Sequence, residues 1–282
     1  MSAPSLYGKV CLVAGASRGV GRGIARGLGE AGATVIVTAR SSEAGARTEM
    51  RPETIEDTAR AVDAAGGRGH HYVCDQLNER AVDGLVHWAL RRFGRIDVAV
   101  GSVWGGSEGF DGQRYPDGAA WGTPFWRRGI APFGRLMESG PYAALLLARA
   151  VAPAMAAARR GLIAFVSYET AESYLGDIHF DLAKAATNRL ALACAEELRP
   201  HSVAALALSP GFVCTERVRE LGWADRATES PLYVGRAMAA LAADPEVSSR
   251  SGQVLHVAEL AKVYGFTDED GTQPERFRIA GD

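Results

Sequence analysis

Lysine is almost absent from this 282-residue chain: among 31 basic residues only Lys9, Lys184 and Lys262 are lysines. Charge of either sign is not in excess. A net charge of −2 leaves no electrostatic footprint for nucleic acid. Cysteine is sparse as well. Cys11, Cys74, Cys194 and Cys214 lie far apart without metal-like spacing. Three of them sit in apolar runs, where free buried thiols usually go, which predicts a reducing cytoplasm and no disulfides. No stretch approaches the ~20 apolar residues of a membrane span. The N-terminus enters a strand pattern without the charged and apolar regions of a signal peptide. These absences point to a cytoplasmic protein that takes neither nucleic acid nor membrane as partner. The arginine bias, with abundant Ala and Gly, fits a GC-rich bacterial genome and carries no mechanism.

What the chain does have is alternation. Val10-Cys11-Leu12-Val13 is a continuous apolar run bounded by glycines, as expected of a strand buried on both faces. A helical stretch from Gly21 to Ala31 follows and stops at Gly32. Further strands are predicted at Thr34 to Thr38, His70 to Cys74, Ile96 to Val100, Leu162 to Val166, Val203 to Leu208 and Gln253 to Val257. Helices fill the gaps, for example Arg80 to Arg92, Tyr142 to Ala158 and Leu182 to Leu198. The expected fold is α/β, a doubly wound Rossmann-type parallel sheet of about seven strands with helices on both faces, in a single domain over 1–282. Two stretches stand outside this rhythm, an aromatic-rich segment at 105–135 and a polar tail at 262–282 that would wrap the surface.

Gly15-Ala16-Ser17-Arg18-Gly19-Val20-Gly21 follows a strand and opens a helix, the context a dinucleotide fingerprint requires. Glycine there lets the backbone approach a pyrophosphate, and the helix N-terminus supplies N–H groups and partial positive charge. An NAD site usually carries an acid after the second strand, for the ribose 2′-hydroxyl. Here that place holds Arg40, with Arg18 in the loop, and two arginines suit the 2′-phosphate of NADP(H). Two solvated surface arginines are the plainer alternative.

Over nearly its whole length the chain resembles the short-chain dehydrogenase/reductase family. The resemblance is carried by Gly15 to Gly21, Asp75 after strand three, Ile96-Asp97-Val98, Ala183-Lys184-Ala185 and Ser209-Pro210-Gly211-Phe212-Val213-Cys214-Thr215. Ser251-Gly252-Gln253-Val254 and Tyr264-Gly265 are similar to the subgroup that contains dehydrogenase/reductase family member 1. The resemblance implies that Asp75, with Gln76 beside it, meets adenine. It also implies that Pro210, Gly211, Val213 and Thr215 hold the nicotinamide and phosphates, that Gly101 borders the cofactor, and that Lys184 holds the ribose. A homodimer or tetramer through helices four and five is implied as well.

The catalytic pattern departs from the family's Asn, Ser, Tyr and Lys. Lys184 is present, but Phe180 stands four residues before it, where the tyrosine belongs. The serine position falls on Tyr168, or on Ser167 with a one-residue offset, and the Asn position falls near Gly140. Gly101-Ser102-Val103-Trp104-Gly105 replaces the usual Asn-Asn-Ala-Gly. Phenylalanine cannot donate a proton, whereas hydride transfer to a carbonyl leaves an oxyanion that needs an acid or a hydrogen-bond donor. Three readings stay open. In the first, Tyr168 is the relocated acid, with Ser167 beside it and Lys184 lowering the phenol pKa. The pair is locally similar to bacterial enoyl reductases, whose tyrosine seven before the lysine is Asp177 here, so a conjugated C=C joins C=O as a candidate acceptor. In the second, Tyr168, Glu169, Tyr174, Asp177 or His179 performs a non-redox cyclisation or elimination. In the third, the chain senses NADP(H) without turnover. The aromatic segment reads equally as the wall of a pocket for a small hydrophobic substrate or as a subunit contact.

Overall fold

The five inner strands of the sheet are apolar runs buried on both faces, whereas the two edge strands, Arg68–Val73 and Val254–His256, are only partly buried. In the computed structural model, which describes residues 5–171 and 174–277, β1 (Val10–Ala14) leads into α1 (Gly19–Glu30), β2 (Thr34–Ala39), α2 (Ile55–Ala64), β3 (Arg68–Val73), α3 (Glu79–Phe93) and β4 (Val98–Gly101). The second half runs α4 (Ala131–Met137), α5 (Ala143–Ala158), β5 (Gly161–Val166), α6 (Ile178–Leu198), β6 (Val203–Ser209), α7 (Glu216–Glu220), α8 (Pro231–Ala243), β7 (Val254–His256) and α9 (Val257–Tyr264). The sheet is parallel throughout, ordered β3-β2-β1-β4-β5-β6-β7, with Leu12 of β1 opposite Ile36 on one side and Ala99 on the other. Strand order reverses between β1 and β4, and ligands of open α/β sheets bind beyond the carboxyl ends of the strands at such a point.

Alternate side chains of β1 feed two cores. Cys11 and Val13 pack with Ile24 and Leu28 of α1, Val62 of α2 and Met238 of α8. Val10 and Leu12 pack with Leu85 of α3, Leu147 and Val151 of α5 and Ala195 of α6. The strand period of two thus builds a helix–sheet–helix sandwich.

Several boundaries differ from the sequence expectation, each for a local reason. α6 begins at Ile178 rather than Leu182, because the Asp177 carboxylate accepts from the Phe180 amide at 2.9 Å and caps an extra turn. The aromatic segment ends in α4, which continues through a π-helical turn at Glu138–Tyr142 around Pro141 into α5. Together Ala131–Ala158 form one helix of 28 residues, long and apolar enough to cross a membrane, although no such run stood out in the sequence. Its apolar face is part of the second core, through Leu146, Leu147, Val151 and Met155. The tail from 262 is not simply a surface wrap. Asp268 is buried and holds Ser230, the N-cap residue of α8, by accepting from its amide at 2.8 Å; residues 278–282 lie outside the described residues.

Candidate active site

β1 runs into Gly15, whose φ of +76° is left-handed and whose Cβ, if it had one, would stand 2.7 Å from the Ser102 backbone. A Cβ on Gly21 would stand 2.3 Å from the Gly15 carbonyl oxygen. Glycine at both places folds the loop tightly against the end of β4. Ser17 is buried, and its carbonyl accepts from the Thr58 hydroxyl at 3.3 Å. Val20 packs on the first core. At the first turn of α1 the Gly19 amide donates to the Glu216 carboxylate at 2.8 Å. A carboxylate thus stands in for the anion that such a helix N-terminus attracts. A turn in which Gly15 and Gly21 leave no room for a side chain, and an amide engaged by anionic oxygen, fit a pyrophosphate.

The other positions singled out for the cofactor lie along the same edge of the sheet. Arg40 follows β2, Asp75 and Gln76 follow β3, Gly101 ends β4, and Pro210 to Thr215 follow β6. Asp75 is exposed, and its carboxylate accepts from the Leu77 amide at 3.0 Å. Gln76 is buried; its amide nitrogen donates to Thr38 at 3.5 Å, and its carbonyl oxygen has no hydrogen-bond partner among the described residues. Val213 pairs with Glu229 in an isolated parallel bridge. Thr215 caps α7 by accepting from the Val218 amide at 3.3 Å.

Acids invisible near Arg18 and Arg40 in the sequence arrive through space. Glu49 lies 3.5 Å from Arg18, and Glu108 lies 3.2 Å from Arg40. Glu49 also accepts from the Gly109 amide at 2.9 Å and pairs with Arg217. Beneath them Arg51 is buried between Glu53 at 2.9 Å and Glu220. The long connection from β2 to α2 is therefore stitched to the β4 loop and to α7.

At the exits of β4 and β5 the chemistry changes. Phe180, half-buried on α6, is the hub of an aromatic cluster: Trp104 lies 5.5 Å from it, Trp121 5.6 Å and Tyr168 6.1 Å, between ring centroids. Trp104 also lies over Gly140, whose Cβ would be 3.4 Å from the indole, so the ring covers the place where the family pattern carries Asn. The Lys184 Nζ sits 4.0 Å from the centre of Trp104 and 5.6 Å from that of Phe180, and donates to the Val166 carbonyl at 3.4 Å. Burial pushes this amine down to about 7; the two aromatic faces oppose that by favouring the cation. The Ser167 hydroxyl is buried and donates to the Lys184 carbonyl at 3.2 Å, tying β5 to α6. The Tyr168 carbonyl accepts from Asn188 at 2.8 Å.

The segment before α4 roofs this cluster. The Trp121 indole donates to the Leu175 carbonyl at 2.6 Å, and Arg128 pairs with Asp177 and lies 4.8 Å from the centre of the Tyr115 ring. Part of the segment thus walls the site, while Phe125, Trp126 and Ile130 are exposed. Asp177, one of the open acid–base candidates, is committed to its cap and to Arg128. Glu169 binds the Ala171 amide at 2.8 Å, and Tyr174 is exposed. Burial holds the His179 imidazole below its ordinary pKa, with its ring 5.8 Å from that of Phe133.

A switch-point glycine loop, a buried lysine beyond β5 and a turn after β6 define a doubly wound, dinucleotide-binding oxidoreductase. The short chain dehydrogenase family model matches residues 9–225, and the chain belongs to that family. Dehydrogenase/reductase SDR family member 1 from Mus musculus is 34% identical over 96% of this chain and 86% of the relative. A short chain dehydrogenase structure from Mycobacterium thermoresistibile shares the fold, with TM-score 0.79, 24% identity, and 99% of this chain and 96% of that one covered. A metagenomic short-chain oxidoreductase in complex with NADP superposes with TM-score 0.65, 29% identity and coverage of 89% and 96%. Members of the family bind NAD(P) and act on small molecules, usually as oligomers.

Proposed function

We propose that this chain is a cytoplasmic NADPH-dependent reductase of a polarised double bond, a C=O or a conjugated C=C, in a small hydrophobic metabolite, and that it works as a homodimer or tetramer. Tyr168 is the proton donor, Lys184 the ribose anchor, and Arg18 with Arg40 the pair that takes the 2′-phosphate. The observation that carries this reading is the position of Tyr168: its phenol ring packs beside Phe180, next to the side chain that replaces the family's tyrosine. When bound, the nicotinamide supplies the hydride. Pro210 and Gly211 would hold the nicotinamide, and the Gly15 to Gly21 loop would receive the diphosphate. The phenol of Tyr168 gives its proton to the reduced atom, and Lys184, in its protonated form, favours the resulting phenolate. Trp104, Trp121 and Phe180 offer flat apolar surface and exclude water from the reacting centre.

Fluorescence titration with NADPH and NADH, followed by single-turnover oxidation of bound NADPH against a panel of enones and ketones, tests this reading. Tight NADPH binding with oxidation by a panel member supports it. Tight binding with no oxidation by any compound overturns it in favour of dinucleotide binding without turnover. One observation favours that second reading: the Trp104 ring lies directly over the amine that would hold the ribose.

A further inference from the structure

Glu49, in a short helical turn between β2 and α2, is held in an unusual backbone. Its φ is +58° and that of Met50 after it is +52°, a left-handed pair without glycine. Such a pair costs conformational free energy, and Met50 is 93% exposed, so its own packing does not offset that cost. What the turn achieves is the placement of the Glu49 carboxylate. There it accepts from the Gly109 amide at 2.9 Å, lies 3.5 Å from Arg18 and pairs with Arg217 of α7. Burial works against the charge, but the Gly109 amide and the two guanidinium groups hold the carboxyl below its ordinary pKa.

The three donors come from three separate parts of the chain, the glycine loop, the segment after β4 and α7. Arg217 is fixed further by donating to the Ser107 carbonyl at 3.0 Å and to the Phe110 carbonyl at 3.4 Å. Two residues beyond Glu49, the buried Arg51 pairs with Glu53 and with Glu220, about one turn along α7 from Arg217. The turn is thus anchored on α7 by two ion pairs of opposite sense, and the Arg51 anchor does not depend on Glu49. The side chains of Arg18, Glu49 and Arg217 keep 21–24% of their surface exposed, so an anion can reach them from solvent. A phosphate monoester, with three acceptor oxygens and up to about two negative charges, suits such donors better than a carboxylate does.

We propose that Arg18, Arg217 and the Gly109 amide form one phosphate-monoester site, that Glu49 occupies it as an internal competitor, and that Glu49 with Arg217 sets the preference between NADPH and NADH. This role rests on the reading that Arg18 takes the 2′-phosphate. An anion that meets Arg18 where the Glu49 carboxylate does is also within reach of Arg217, because both guanidinium groups meet that one side chain. The phosphate must displace Glu49. Release of the left-handed pair favours the exchange, and Arg51 keeps the segment on α7 meanwhile. NADH brings no phosphate to this place and leaves the Glu49 contacts whole. Arg217 is therefore a phosphate ligand beside Arg18 and Arg40, and Glu49 is a specificity-determining residue that weakens NADPH alone.

The test is fluorescence titration of NADPH and NADH binding to the full-length wild type, Glu49→Gln and Arg217→Gln. Glu49→Gln keeps an acceptor for the Gly109 amide and loses the charge. It should bind NADPH about three- to tenfold tighter, as the loss of two partly exposed ion pairs allows, with NADH unchanged. Arg217→Gln should bind NADPH about 10- to 100-fold more weakly, the range of one charge-assisted hydrogen bond, again with NADH unchanged. Competition by adenosine 2′-phosphate should follow NADPH in both variants, while adenosine 5′-phosphate should not change. Equal shifts for both dinucleotides, the result if Glu49 and Arg217 only fasten the loop, overturn the proposal, as does a Glu49→Gln protein that binds NADPH no tighter. Inorganic phosphate that binds tighter to Glu49→Gln while the NADPH-to-NADH ratio stays as in wild type would assign the donors to a free anion and overturn it too. A wild type that binds NADH as tightly as NADPH would remove the NADPH reading on its own. The change of that ratio in Glu49→Gln still decides whether Glu49 bars the phosphate.

Discussion

β1 and β4 are neighbours in the sheet, and the loops that leave them touch, yet they carry opposite chemistry. The β1 loop turns on glycines: Gly15 and Gly21 stand where any side chain would collide, and the Gly19 amide is turned to an anionic oxygen. The β4 loop, met by the chain after β5, is crowded with rings. Trp104 covers Gly140 and Lys184, and Phe180 gathers Trp104, Trp121 and Tyr168 around it. One half of the site is built to receive a diphosphate and has kept the family pattern. The other half lies where the family carries its catalytic side chains, and there the pattern has been rebuilt in aromatic side chains. The two halves can therefore be tested separately.

The largest separation is expected from Tyr168→Phe. If the relocated phenol is the acid, single-turnover NADPH oxidation falls by about 10²–10⁴-fold, the effect of a positioned proton donor, while the fluorescence titration with NADPH stays as in wild type. Full turnover in this variant would leave the aromatic half without its acid.

Arg40→Ala attacks the other half. A charge-assisted hydrogen bond contributes about 1.5–3 kcal/mol, so NADPH affinity should drop about 10- to 100-fold with little change for NADH. Equal losses for both dinucleotides would remove Arg40 from the 2′-phosphate. Because Glu108 already pairs with Arg40 at 3.2 Å, the phosphate competes with a carboxylate, and the lower end of that range is the expected one.

The same contrast decides what could be read without the fold. β1, the glycine loop and the turn after β6 were legible because the constraint is local: a strand, a helix start and the residues between them sit within a dozen positions. The extra turn of α6 was legible in principle, since Asp177 stands at a capping position, but apolar periodicity alone begins at Leu182. The partners of the arginines were not legible. Glu49 and Glu108 lie 31 and 68 residues from Arg18 and Arg40, and Glu216 lies 197 residues from Gly19. Only the crossovers of the sheet bring them together. The aromatic box had a sequence signal, a run of Trp and Phe after strand four with Phe180 in the tyrosine position, but nothing in spacing said that the rings would meet over Lys184.

Lys184 offers a third test, through stability. Its folded pKa is pushed down to about 7 by burial, against an ordinary lysine value of 10.5 in the unfolded chain. Below about 7 the amine is charged in both states and folding bears the full cost of burying it. Between there and 10.5 only the unfolded chain holds the proton, so stability rises with pH across that window. Lys184→Met removes the titration. Urea unfolding at about pH 6 and about pH 9 should show the variant ahead of wild type by a margin that narrows as pH rises. A margin independent of pH would mean that Trp104 and Phe180 hold the cation charged throughout.

The smallest expected effect bears on the β1 loop itself. Glu216 supplies the carboxylate at the Gly19 amide, in the place a diphosphate oxygen would take. A bound dinucleotide must displace it and would then lie beside its negative charge. Glu216→Gln keeps a hydrogen-bond acceptor for the helix start and removes the charge. An anion at a helix N-terminus is worth about 0.3–1 kcal/mol, so NADPH and NADH should both bind about two- to fivefold tighter to the variant. The gain should shrink as salt screens the repulsion. Tightening confined to NADPH would place Glu216 against the 2′-phosphate instead, and would shift the phosphate-selecting ground from Arg40 toward α7.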